Sequence, residues 1–112
     1  MNIQTKEAEK GVHIVRISGR IDSMTSLQLE DEFDKLTSAG HMKLVVNLAE
    51  VNFMSSAGLR VFLATLKNVK AQNGDLKICG MVPGIQKIFK IAGFISLFDI
   101  VPDENQAVQK FA

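Results

Sequence analysis

Residues 43–60 read KLVVNLAEVNFMSSAGLR, and this stretch decides the fold. Lys43 to Leu48 is a nearly continuous apolar run, which is typical of a strand in a sheet that is covered on both faces. From about Ser56 to Asn73 the apolar residues recur at helical spacing instead, and the predicted buried side comprises Leu59, Phe62, Leu63, Leu66 and Val69. A buried strand therefore leads into an amphipathic helix.

The segments before this stretch repeat the alternation between strand and helix. Residues 3–8 and 12–17 are typical of strands, and the turn between them contains a glycine that can adopt positive φ. A helix follows that Asp22 or Ser23 can cap and that Gly40 ends, with an apolar face of Leu29, Phe33 and Leu36. The chain thus begins with a hairpin and continues into a helix.

The segments after the central helix continue the pattern. Gly74 suits the C′ position that ends this helix, and residues 76–80 are typical of a strand. Pro83 fits the first turn of a helix that ends at Gly93, with Ile85, Ile88, Phe89 and Ala92 at helical spacing. Residues 97–101 indicate a last short strand, and residues 103–106 resemble a capping box that opens a C-terminal helix.

Strands that alternate with helices predict an α/β fold in which the later strands are parallel. The initial hairpin adds an antiparallel edge. We expect a mixed sheet of four to five strands, covered by about four helices, in a single domain over residues 1–112.

Composition narrows the classes of function. The formal net charge is +1, with no basic block, which disfavours a nucleic-acid binder because such proteins usually carry a clear basic excess. The N-terminus lacks the apolar core of a signal peptide, and no apolar run approaches the roughly 18 residues needed to span a bilayer, so we expect no insertion into a membrane. The single cysteine excludes an intramolecular disulfide. We expect a cytoplasmic protein.

The junction between the central strand and helix is the candidate site. In open α/β sheets, ligands and partners meet the protein at the carboxyl ends of the strands. Ser55 and Ser56 would lie at the N-terminus of the helix, where free N–H groups and the helix dipole favour an anion such as a phosphoryl group. One serine could instead be a simple N-cap, worth about 1 kcal/mol, and the two interpretations are compatible.

Other chemistry finds little support. His13, His41 and Cys79 do not have metal-ligand spacing, and the dispersed glycines form no phosphate-binding loop, so we expect no metal and no cofactor. His41 and Ser56 could suggest a hydrolase, but the chain has no Gly-x-Ser-x-Gly elbow and no evident acid to orient a base. Cys79 is typical of a small buried core residue. We therefore predict that the protein is not an enzyme.

Residues 53–59, FMSSAGL, resemble the signature of the STAS domain family, in which an aromatic or apolar pair precedes Asp-Ser-x-Gly-Leu. Residues 18–22, SGRID, resemble the Gly-x-Ile/Leu-Asp element of the same family. The resemblance extends over nearly the whole chain and implies the STAS (SpoIIAA-like) fold, which agrees with the sheet and helices expected above.

The resemblance also implies a function. Stand-alone STAS proteins of this length typically bind an anti-sigma factor that is also a serine kinase, which frees a sigma factor and so regulates transcription by partner switching. The kinase phosphorylates the motif serine, and a PPM-type serine phosphatase restores it. Alignment of Ser-x-Gly places that serine at Ser56. The usual aspartate before it is Ser55 here, which removes a charge and makes Ser55 the alternative phosphorylation site.

The central helix also offers a docking surface. Ser56, Arg60, Ala64 and Lys67 follow one another at i, i+4, i+8 and i+11, on a side away from the apolar stripe. This side is small and basic and suits an acidic partner, although it could be a merely solvated helix face. The predicted partner-binding set comprises Asp22, Ser23, Ser55, Ser56, Ala57, Gly58, Arg60, Ala64 and Lys67.

One alternative keeps the fold and changes the role. A stand-alone STAS protein could be a subunit of a lipid- or solute-transport ATPase complex, without a phosphorylation cycle. The sequence leaves the oligomeric state open between a monomer and a weak dimer.

Overall fold

Five strands form one mixed sheet in the computed structural model, which describes residues 1–111. The strands lie side by side in chain order: β1 (Asn2–Glu7), β2 (His13–Ile21), β3 (Lys43–Met54), β4 (Asp75–Cys79) and β5 (Asp99–Val101). β1 is antiparallel to β2, and β2 to β5 run parallel to one another. The predicted α/β fold, with its antiparallel hairpin at one edge, is confirmed.

In this described part of the chain, four helices cover the sheet: α1 (Thr25–Ser38), α2 (Ser56–Ala71), α3 (Pro83–Ile91) and α4 (Glu104–Gln109). A short 3₁₀ helix, Glu9–Gly11, forms the hairpin turn. Each of the first three helices connects neighbouring parallel strands in the same direction, so right-handed crossovers place all three on one face. α4 follows the last strand and packs against the opposite face.

The core is divided by the sheet into two clusters. Alternate strand residues point to opposite faces, so that Val15 and Ile17 pack toward the three-helix side whereas Ile14 packs toward α4. Phe62 of α2 is fully buried, and its ring contacts those of three other phenylalanines edge-on, with centroid distances of 5.7 to 6.4 Å to Phe33, Phe89 and Phe98. The larger cluster therefore fixes α2, the helix that begins at the candidate site.

Ion pairs hold α4 and β5 in place. Arg16 on β2 donates two hydrogen bonds of 2.7 Å to the carboxylate of Glu104, which also accepts one from Asn47 on β3. The hydrogen bond from Arg16 lowers the pKa of Glu104. Lys77 on β4 is only 6% exposed and donates hydrogen bonds of 3.0 Å to Asp75 and Asp99. The contacts of Glu104 thus connect α4 to β2 and β3, and those of Lys77 connect β4 to β5.

Several boundaries differ from the sequence-based expectations. β3 continues six residues beyond Leu48, because Val51 and Met54 still face the core and pair with β2. β5 begins only at Asp99, and Leu97 before it is 45% exposed. Leu36 and Leu63, expected to be buried, are only partly so.

The end of α2 also corrects a prediction. The residue with positive φ after the helix is Asn73, at 65°, and not Gly74. The Gly74 N–H donates to the carbonyl oxygen of Val69 at 2.7 Å, which completes the helix C-terminus. Gly74 is glycine for a different reason: a Cβ at this position would lie 2.0 Å from the backbone oxygen of Met42.

Candidate functional site

The turn between β3 and α2 is fixed by main-chain and side-chain hydrogen bonds. The Ser55 N–H donates to the carbonyl oxygen of Ile21 at 2.8 Å, which ties the turn to the end of β2. Ser55 is the N-cap of α2, with extended backbone angles, and its hydroxyl accepts a hydrogen bond of 3.1 Å from the Gly58 N–H. Ser55 therefore caps α2, a role for which serine and aspartate are similarly suited.

Ser56 is the first residue of α2, and its side chain is exposed. Within residues 1–111, its hydroxyl has no hydrogen-bond partner, whereas that of Ser55 is occupied by the cap. The hydroxyl of Ser56 thus lies free at the positive end of a sixteen-residue helix. A phosphoryl group could be added there without breaking an interaction that holds the turn.

Gly58 has a steric reason to be glycine. A Cβ at this position would lie 2.6 Å from the Cγ2 atom of Ile21 and 2.7 Å from the sulfur of Met54. The first turn of α2 therefore packs directly against the ends of β2 and β3. This close packing accounts for the glycine of the Ser-x-Gly motif by steric fit alone.

The start of α1 lies beside this turn and is held by Asp22. The Asp22 carboxylate accepts hydrogen bonds from the N–H groups of Met24 and Thr25, at 3.0 and 2.9 Å. The backbone and side-chain hydrogen bonds from Thr25 lower the pKa of Asp22. Of the two predicted caps, Asp22 performs this role, while Ser23 is exposed and offers its carbonyl oxygen to the hydroxyl of Ser26.

The structure brings most of the remaining predicted docking residues, but not Gly58, onto the exposed part of α2. Arg60, Ala64 and Lys67 are exposed, Ala57 is partly exposed and Gly58 is buried. The basic stripe has an acidic neighbour, because Ala64 lines a groove together with Glu30 and Asp34 of α1. α1 carries four carboxylates and one lysine, whereas α2 carries three cations and no carboxylate. The surface is therefore divided between an acidic helix and a basic one.

The sequence did not predict that Met24, the N-cap of α1, and Leu27, in its first turn, are exposed apolar residues. Met24 is 80% exposed and Leu27 is 65% exposed, and both lie at the end of α1 nearest Ser55. Leu27 lies off the apolar stripe formed by Leu29 and Phe33, and that departure was the available signal in the sequence.

The histidines and the cysteine are remote from Ser56. The rings of His13 and His41 stack with their centroids 3.8 Å apart at the amino end of β2, whereas Ser56 follows the carboxyl end of the parallel strand β3. Cys79 is buried, and burial raises the pKa of its thiol to about 12. Among residues 1–111, no cluster of three or more His, Cys, Asp or Glu side chains could hold a metal ion.

The helices of the described chain also bear on the relation to membranes. Over residues 1–111, none of them is both long and apolar enough to traverse a bilayer.

The N-cap interpretation gives a prediction about stability. We expect Ser55→Ala to lower the free energy of unfolding by about 1 kcal/mol, because the Gly58 N–H loses its acceptor. Ser55→Asp keeps an acceptor and adds a negative charge at the positive end of the helix, so its stability should match or exceed that of the original chain. Urea denaturation measures both, with Ser56→Ala as the neutral neighbour. Equal midpoints for Ser55→Ala and Ser56→Ala would contradict the cap.

The chain matches a known protein family and several named proteins along most of its length. A family profile described as the STAS domain matches residues 3–107. A Bordetella bronchiseptica protein, BtrV, provisionally named an anti-sigma factor antagonist, is 31% identical over 107 residues, which cover 96% of this chain and 92% of that protein. The anti-sigma-B factor antagonist of Staphylococcus aureus is 31% identical over 100 residues, covering 89% of this chain and 92% of the relative.

Solved structures show the same fold. The Bacillus cell fate determinant SpoIIAA in its phosphorylated form superposes with a TM-score of 0.77 at 18% identity, covering 99% of this chain and 100% of that one. At that identity the match is evidence for the fold alone. The order of strands and helices described above is thus shared with an anti-sigma factor antagonist of known structure.

Proposed function

The chain belongs to the STAS domain family, and from that premise we propose that it is an anti-sigma factor antagonist switched off by phosphorylation of Ser56. In this proposal the unphosphorylated protein binds an anti-sigma factor that is also a serine kinase, and a PPM-type serine phosphatase restores it. The observation that carries the proposal is the exposed Ser56 hydroxyl, which begins α2 and makes no hydrogen bond within residues 1–111.

The folded protein should tolerate the phosphoryl group. Phosphoserine carries about −1.5 to −2 charges at neutral pH. At the first residue of α2 this charge meets the free N–H groups and the positive end of the helix dipole, which is a favourable place for an anion. The effect of phosphorylation should therefore fall on the complex with the partner and not on the fold.

Two electrostatic effects can weaken the complex. The phosphoryl group can face acidic groups of the partner, where like charges placed together cost several kcal/mol. It can also pair with Arg60, one turn along α2, and so withdraw that cation from the interface. Because each 1.4 kcal/mol is a factor of ten in affinity, either effect is large enough to dissociate a complex with a micromolar dissociation constant.

The proposed role is regulatory and needs no catalysis by this chain. The kinase supplies the chemistry, transferring the γ-phosphoryl group of ATP to Oγ of Ser56, and the phosphatase removes it by hydrolysis. We place the cycle in the cytoplasm, where the anti-sigma factor and the sigma factor that it controls meet. The names of the relatives support the binding of an anti-sigma factor, and the geometry of Ser56 supports the phosphorylation step.

Intact-mass measurement tests the modified residue. After incubation with ATP and an anti-sigma kinase from the same organism, we expect the chain to gain the mass of one phosphoryl group. Ser56→Ala should abolish the gain, and Ser55→Ala should retain it, because the Ser55 hydroxyl is already engaged in the cap.

The opposite pattern, with the gain lost in Ser55→Ala alone, would move the site to Ser55. If no phosphoryl group is gained and the neighbouring genes encode transporter subunits, the protein would instead be a structural subunit of a transport ATPase complex.

A further inference from the structure

Met24 and Leu27 form an exposed apolar pair at the beginning of α1, and neither residue is buried in the core. They are 80% and 65% exposed, and residues three apart on a helix are neighbours on its surface. The buried side of α1 is formed instead by Ser26, Leu29 and Phe33. Single exposed apolar residues are ordinary on protein surfaces, so exposure alone does not indicate a binding site. The position of this pair relative to Ser56 is the informative observation.

The pair lies beside the Ser55–Ser56 turn. The Ser55 N–H donates to the carbonyl oxygen of Ile21, three residues before Met24. Farther along, Glu30 and Asp34 of α1 line a groove with Val61 and Ala64 of α2, so the two helices run side by side in the same direction.

If this side-by-side arrangement is followed one turn toward the start of each helix, we expect Leu27 to lie near Ala57 and Arg60. The apolar pair is thus continuous with the surface that carries Ser56. A protein that docks on the first turn of α2 also meets the first turn of α1.

We propose that Met24 and Leu27 are apolar anchors that insert into an apolar pocket of the anti-sigma factor. The inference rests on the proposed function, and it adds the source of affinity to a surface so far described by its charges. Protein interfaces typically bury an apolar centre within a polar rim, and a few residues supply most of the affinity. Here the pair is the centre, and the charged residues on either side form the rim.

The flanking charges define the partner further. Glu30 and Asp31 are exposed on α1 beyond the pair, and Arg60 is exposed on α2. The matching face of the anti-sigma factor should therefore present a cation on the side that meets α1 and a carboxylate on the side that meets α2. An apolar pocket between two groups of opposite sign is the surface that this arrangement fits.

Glutamine substitutions test the anchors. We expect Met24→Gln and Leu27→Gln each to weaken binding by about tenfold or more, because each removes apolar area from the centre of the interface. Calorimetry with a purified anti-sigma kinase from the same organism measures the affinity. Both substitutions are on exposed positions, so the thermal midpoint should stay within about 2 °C of the unaltered chain.

The matched control is Ile91→Gln. Ile91 is 76% exposed, a similar fraction, but it is the last residue of α3 and precedes the edge strand β5, whereas Ser56 follows the carboxyl end of the central strand β3. Its substitution should leave affinity unchanged. Phosphorylation by the kinase provides a second measurement, because Leu27→Gln should lower kcat/KM for transfer to Ser56 although the acceptor hydroxyl is untouched.

Other outcomes overturn the inference in distinguishable ways. If the unaltered chain binds the kinase and both glutamine variants bind equally well, Met24 and Leu27 are not anchors of the complex, and the proposed function stands. If sedimentation shows a dimer that Leu27→Gln dissociates while the kinase complex is unaffected, the pair covers a second copy of this chain. If the unaltered chain does not bind the kinase, the proposed function fails and this inference fails with it.

Discussion

Ser56→Asp should weaken the complex with the anti-sigma factor by about 30-fold or more, since a fixed negative charge at an interface meets like charge or captures the nearest cation. Ser56→Ala should bind at least as well as the original chain, because the hydroxyl has no hydrogen-bond partner within residues 1–111 and its removal disturbs nothing there. Aspartate carries about half the charge of phosphoserine, so the phosphorylated protein should bind more weakly still.

Calorimetry at two salt concentrations measures this effect. Part of the loss in Ser56→Asp should be recovered at high salt, because screening weakens the interaction between exposed charges. Ser55→Asp is the matched control, because it adds the same charge one residue earlier. At that position the carboxylate would accept the capping hydrogen bond of α2, and aspartate is the usual residue of the family motif. Equal affinities for Ser56→Asp and Ser56→Ala would remove the proposed switch.

Gly74→Ala should destabilise the fold more than any other exchange of glycine for alanine in this chain, by about 3 kcal/mol. The new Cβ would lie 2.0 Å from the carbonyl oxygen of Met42, and a backbone atom cannot rotate away as a side chain can. That same oxygen accepts a hydrogen bond of 3.0 Å from the Asp75 N–H, so relief of the clash would also disturb the start of the β3–β4 pairing.

Gly84→Ala provides the comparison. A Cβ at Gly84 would meet nothing within 4 Å, and the residue lies within α3, where alanine is favoured over glycine by up to about 1 kcal/mol. Urea denaturation should therefore give a lower midpoint for Gly74→Ala and an equal or higher one for Gly84→Ala. A midpoint for Gly74→Ala within error of the original chain would contradict the steric explanation.

The sequence alone predicted the order of the elements, because apolar runs and helical spacing are local patterns. The buried strand that begins at Lys43 and the helix that begins at Ser56 were recognisable for this reason. The length of β3 was not, because its last residues mix apolar and polar side chains and two irregularities shift its register against β2. The role of Gly74 was also missed, since its steric constraint comes from Met42, more than thirty residues away.

The candidate site was predicted unevenly for a similar reason. Motif spacing placed Ser56 correctly at the helix start, but could not tell which serine is the cap, because that depends on the hydroxyl of Ser55 reaching the Gly58 N–H. The exposure of Met24 and Leu27 depends on how α1 is rotated against the sheet, and this rotation is set by tertiary packing. Local pattern therefore predicted that Ser56 begins a helix, and tertiary packing determined which residues surround it.

The free hydroxyl at the start of α2 has a consequence for how long a signal lasts. Because this atom takes no part in holding the turn together, the proposed on and off states differ by a covalent bond and not by a shape. In the proposed cycle, a molecule phosphorylated by the kinase would keep its phosphoryl group after dilution and after release from any complex. The lifetime of the phosphorylated state would then be set by the rate at which the phosphatase acts, and not by thermal fluctuation of the protein.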